Sequence, residues 1–347
     1  MTIRTDSMWI SAAIAGCLAA GLPQSAMAQQ PEAPPPVADF AADAEDDSDV
    51  AENEGYLPTP VTLADLLPSG RRPQPFLFGV RGEHQFNTDI DDAGEFSVTR
   101  FTGAGAVMFP LGQRMGGLVG GAYSHACYDF DDAAAFAGGE PWGDIQSVHF
   151  GGLIKYLVTR QWSVIGGGFG SFSGENNADS SSSFTGGGAI GAGYRASEDF
   201  YVQLGVAVYS QLEDDVSVLP AFRLNWRIDE HWRLRAGVLE TGATDSVGVG
   251  LVYHFDDHWA VGARMGYIGR RFRLNDDGFA PEGIGEDEQY RGALSLFWEP
   301  NHNVQVVIAG GMTFAGSLRV EDEDGNRLFR EDYDPGPFVS ARLGFRF

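Results

Sequence analysis

The chain has 347 residues, with 48 acidic against 23 basic side chains and a formal net charge of −25. Such an excess excludes nucleic acid as a partner, because phosphate contacts need clustered cations. Beyond Leu22 no apolar run approaches the ~18 residues that a membrane helix requires, so a membrane could be crossed only with strands.

Met1 to Ala28 carries Arg4, an apolar stretch through Leu22, and Ala26-Met27-Ala28 ahead of Gln29, the small-x-small pattern of a cleaved secretory signal. Ile14-Ala15-Gly16-Cys17 offers a competing lipoprotein-type cleavage that would leave Cys17 lipidated. After ordinary cleavage Cys127 is the sole cysteine, so no intramolecular disulfide can form. Residues 29–55 combine Pro34-Pro35-Pro36 with an acidic run from Glu32 to Glu54, too poor in apolar bulk to fold alone, and read as a disordered periplasmic tail. Residues 56–75 form a separate short segment. Val61 to Leu67 could make an amphipathic helix there, resting at a barrel mouth, entering it as a plug, or serving only as a linker.

From Phe76 to Phe347 alternating segments are punctuated in turn by short and long connections. The short ones fall at 110–114, 159–161, 196–199, 229–231, 256–258 and 299–302, and the long ones at 87–95, 129–143, 174–182, 213–215, 241–245, 275–287 and 316–336. They delimit fourteen strands, at 76–86, 96–109, 115–128, 144–158, 162–173, 183–195, 200–211, 216–228, 232–240, 246–255, 259–273, 288–298, 303–315 and 337–347. An even strand number with alternating turn lengths predicts an all-β fold, a transmembrane antiparallel up-and-down β-barrel of about 14 strands closed by pairing of its first and last strands.

The last segment is the clearest. In Pro337 to Phe347, Val339, Ala341, Leu343, Phe345 and Phe347 point one way, and Ser340, Arg342, Gly344 and Arg346 the other. This strand resembles the C-terminal strand of bacterial outer-membrane proteins, which commonly ends in phenylalanine. Phe345 and Phe347 are thereby marked as a C-terminal assembly signal. The resemblance is to Gram-negative outer-membrane β-barrels as a class. It implies outer-membrane localisation and, as partners, outer-membrane lipid, lipopolysaccharide, the barrel assembly machinery and small solutes; no cofactor or metal is implied.

Assigning the apolar parity to lipid fixes the lumen. It collects Arg81 and Glu83, Arg223, Arg235, Arg264, Arg270, Arg291 and Arg342, since a charge on the lipid side at mid-depth costs ~2–4 kcal/mol. Tyr194, Trp226, Trp232, Tyr253, Trp259 and Trp298 flank short acidic turns and read as an aromatic belt at one membrane boundary. Glycines concentrated in the second to sixth strands suit tight curvature or a smooth wall for a plug.

Two readings of the lumen remain open. A cationic wall suits a porin-like channel for small, anionic solutes; neutralisation of the arginines by Glu83 and loop carboxylates suits a structural or surface-interaction barrel with a closed lumen. A surface hydrolase is the third. Ser124 and His125 are adjacent and face opposite ways, and although His149 could approach His125 or Cys127, no pattern selects a nucleophile and base, so no catalytic residue is expected. Glu321 to Asn326 is acidic, yet Val320 stands where an EF-hand needs its first carboxylate, leaving solvated, divalent-bridged loops as the expectation there.

Overall fold

The computed structural model describes residues 76–347 except 92–93, 132–139, 213–215, 239–244 and 278–279, so the expectations for residues 1–75 lie outside the described residues. The strands are β1 (Phe76–Ile90), β2 (Gly94–Pro110), β3 (Met115–Asp131), β4 (Ile145–Leu157), β5 (Trp162–Glu175), β6 (Phe184–Arg195), β7 (Phe200–Ser210), β8 (Val216–Arg227), β9 (Trp232–Val238), β10 (Asp245–His254), β11 (Trp259–Arg273), β12 (Ile284–Asn301), β13 (Val304–Glu321), β14 (Arg327–Tyr333) and β15 (Pro337–Arg346). Neighbours from β1 to β13 pair antiparallel in sequence order. The ring closes where β1 pairs with β15, from Leu77 opposite Arg346 to Gln85 opposite Phe338.

β14 and β15 together make one stave. β13 pairs with β15 from Val304 to Met312 and then with β14 from Gly316 to Glu321. The break between them, Asp334 to Gly336, is held by Thr313, whose amide and hydroxyl both donate to the Gly336 carbonyl. The barrel therefore has fourteen staves. The long connection anticipated at 316–336 shrinks to a tip at Asp322 to Asn326, and that at 275–287 ends early because β12 already begins at Ile284. Both stretches are dense in charge. The charges are satisfied across strands, as Arg319 is by Glu286 at 2.8 Å.

Alternation sets the faces. Leu294 is 71% exposed and Ile190 66%, and Leu204, Val218, Phe222 and Ile308 also present apolar bulk outward around the ring. A belt of that extent is incompatible with water and fits acyl chains. Both chain ends of the barrel lie at the end bearing the short turns, where the Phe76 amide donates to the Phe347 carbonyl. That is the periplasmic end by the usual rule of turn lengths.

At the other end the staves are uneven: β12 and β13 have 18 residues each, far more than the ~9–11 needed to span a bilayer. There the inner faces of β1 to β3, β11, β13 and β14, with Trp142 from the connection after β3, hold a packed core of Ile90, Phe96, Val98, Tyr128, Phe130, Trp142, Phe272, Leu318, Val320 and Tyr333. Trp142 is only 2% exposed and meets Phe130 and Phe272 edge to face. Tyr333 fits because Gly316 has no side chain: a Cβ there would stand 2.0 Å from the ring.

Candidate functional site

The lumen changes character along its axis. Beneath the aromatic core lies a buried ion-pair network. Glu83 of β1 accepts from Arg81 at 2.5 Å, Arg291 at 2.6 Å and Arg100 at 3.2 Å. Asp287 of β12 accepts from Arg100 at 2.9 Å, Arg270 at 3.1 Å, the Tyr128 hydroxyl at 2.8 Å and the Tyr333 hydroxyl at 3.1 Å. Arg100 thus links two carboxylates carried on staves that are not neighbours. Arg291 also lies over the Phe338 ring, 4.6 Å from its centroid. Desolvated charges persist only when paired and hydrogen-bonded, and here each carboxylate meets several donors.

The outer mouth is further drawn together across the ring. Arg273 of β11 pairs with Gly174 of β5, a stave on the opposite side of the barrel. Its guanidinium donates to the carbonyls of Ser182 at 3.1 Å, Glu282 at 2.7 Å and Leu212 at 2.5 Å. Glu175 accepts from the amides of Gly143 at 2.8 Å and Asn275 at 3.0 Å. One arginine and one glutamate therefore fasten four connections over the lumen.

Below the network is a cavity of about 100 Å³. Arg81, Arg235, Arg264 and Arg342 line it, and its other lining residues are neutral, among them Ser295, Gln305, Ser340, Val252 and Phe297. Nε of Arg235 is buried and makes no hydrogen bond among the described residues. Four guanidinium groups thus meet around one small space.

The residues anticipated for the lumen sort into these zones. Glu83, Arg270 and Arg291 belong to the network, Arg81 joins network and cavity, and Arg235, Arg264 and Arg342 line the cavity. Arg223 sits on the same parity between the outward Phe222 and Trp226. Asp287, Arg100, Tyr128 and Tyr333 were not anticipated. Arg100 had a readable signal, being two residues from Val98 on a strand whose other face shows Phe101; Asp287 had none, standing in an acidic triplet that reads as loop.

The six aromatic residues gather at the periplasmic turns. Trp232 meets Tyr253 at 4.9 Å, Trp259 stacks on Trp298 at 5.8 Å, Tyr194 meets Trp162 at 4.7 Å and Trp226 meets Phe200 at 6.2 Å. Asp229 and Asp256 shape two of these turns, each accepting the amides of the histidine and tryptophan that follow. Those bonds hold both carboxyls below the ordinary aspartate range. Phe345 stacks between Phe78 and Phe347 at the closing seam.

The reading that brought His149 toward His125 or Cys127 is corrected. His149 is buried and bonded to the Ser171 hydroxyl at 2.9 Å, whereas His125 shares the outward parity of the exposed Tyr123. The acidic stretch at Glu321 to Asn326 also differs: Glu321 is buried against Arg271 at 2.5 Å, and Asp322 caps its own turn through the amides of Asp324 and Asn326.

Several solved barrels align with this one. An outer-membrane channel from Pseudomonas putida F1 shares 13% identity over 80% of this chain and 97% of its own, with a TM-score of 0.42. A Pseudomonas aeruginosa FadL homologue shares 10% over 79% and 90%, with a TM-score of 0.45. The P. putida toluene transporter TodX shares 9% over 82% and 91%, at 0.38. Likeness of that degree carries no inference about function, and the fold rests on this chain's own strand ladder. No curated protein matches the sequence. With its closed ladder, apolar belt and charged interior, the chain is an outer-membrane β-barrel, and because residues 154–346, more than half its length, match the family described as "Domain of unknown function (DUF6268)", it belongs to that family.

Proposed function

We propose that the barrel is a gated channel for small anionic solutes, captured here in its closed state. The observation that carries this is the cavity lined by Arg81, Arg235, Arg264 and Arg342 beneath a mouth fastened by Arg273 and Glu175. The positive field selects anions, while the network and the aromatic core block the axis until the outer connections part. Planar-bilayer recording tests it. The wild type is expected to be mostly silent, Arg273→Ala to raise the open probability, and the open state to prefer chloride over potassium. Arg235→Gln with Arg264→Gln should reduce that preference.

A second reading, a structural barrel with a closed lumen, is favoured by the packing of Trp142 and Phe272 across the mouth. It predicts silence even after Arg273→Ala. The two readings thus divide on one measurement.

A further inference from the structure

On the outer face of the barrel, near the external rim, the strand ladder brings three metal-ligating side chains together. His125 and Cys127 stand two residues apart on β3, so both project from the same face. Ala126 lies opposite Ile145 of β4, so the next register position sets Asp144, just before that strand, beside Cys127. One ligand atom from each of the three lies within 4.8 Å of the others. Nε2 of His125 is 3.6 Å from the Asp144 carboxylate, and their side chains are 28% and 41% exposed, open to an ion arriving from outside.

We infer that His125, Cys127 and Asp144 form a site for a divalent metal ion of the zinc class. The donor set argues for the class: imidazole, thiolate and carboxylate are the three protein ligands of zinc, whereas calcium and magnesium take oxygen alone. Tetrahedral bonds of about 2.0–2.3 Å require donor atoms ~3.3–3.8 Å apart, so the three groups need to close by only ~1 Å. The β-ladder supplies the rigidity for that, since two ligands share one strand and the third is fixed by its neighbour. Three protein ligands leave a fourth position open to water or to an anionic headgroup of the outer leaflet. On binding, the Cys127 thiol gives its proton to solvent and the thiolate bonds to the metal; no electron is transferred. Nothing in the channel reading requires this site, which faces away from the lumen.

The test uses the full chain, reduced and purified in detergent. Cobalt(II) is titrated while the near-ultraviolet thiolate-to-metal charge-transfer absorbance is followed, with zinc as competitor. One cobalt per chain, displaced by zinc, is expected. Cys127→Ser should abolish the band. His125→Ala and Asp144→Asn should each weaken binding by at least about tenfold, since loss of even an outer-shell partner costs roughly 10–100-fold. A second measurement needs no variant: zinc should slow maleimide labelling of the peptide containing Cys127 by about tenfold or more, given the same scale of affinity. Absence of the band in the wild type, labelling unchanged by zinc, or undiminished wild-type affinity in His125→Ala and Asp144→Asn would each overturn the assignment.

Discussion

The outer and periplasmic halves of the lumen are built around the same side chain, arginine, and differ in what faces it. In the outer half Arg81, Arg100, Arg270 and Arg291 converge on the carboxylates of Glu83 and Asp287, and the result is a floor under an aromatic plug. In the periplasmic half Arg235, Arg264 and Arg342 line a chamber together with Ser295, Gln305 and Ser340. Glu83 and Asp287 thus turn the outer guanidinium groups into mortar.

The comparison breaks most easily at Asp287. Removing one partner from a buried pair leaves the other charge uncompensated, so Asp287→Ala should cost about 3–5 kcal/mol, seen as a lower temperature of heat modification on a gel, with Arg100 and Arg270 left facing each other. An unchanged temperature would mean that the plug, not the network, holds the outer half. Next is the lipid face: Leu294→Arg should cost about 2–4 kcal/mol at mid-depth, and a neutral outcome would move the membrane belt. Gly316→Ala should be smaller but directional, displacing Tyr333 from Asp287 and so loosening the outer half alone, which hydrogen exchange resolves stave by stave. The smallest effect sits at the periplasmic turns. Because backbone amides hold Asp256 below its usual value of 3.8, its contribution is present above that pH and is lost as pH falls through the lowered value. Asp256→Asn should therefore lower stability slightly at neutral pH and leave it unchanged below the lowered value, flattening the acid limb of the stability profile.

Much of this barrel was legible in the sequence. Period-two alternation and the rhythm of turns gave fourteen staves and the faces of Arg235, Arg264 and Leu294, because those signals are local. Asp287 was not legible, since its partners Arg100, Tyr128 and Tyr333 come from β2, β3 and β14, and nothing near residue 287 announces them. Arg327 to Tyr333 likewise carries too many charges to read as a strand, yet β13 supplies it a ladder broken by one bulge. Local pattern reports exposure well; it is silent on which distant charges will meet.

The seam between β1 and β15 joins the two ends of the barrel sequence, and this dictates when the wall becomes watertight. Until the final stave arrives, the first has a bare edge, and an incomplete sheet is a sticky ribbon poised for aggregation. Clipping a few residues from that terminus would therefore yield no shorter cylinder; it would yield one that never shuts.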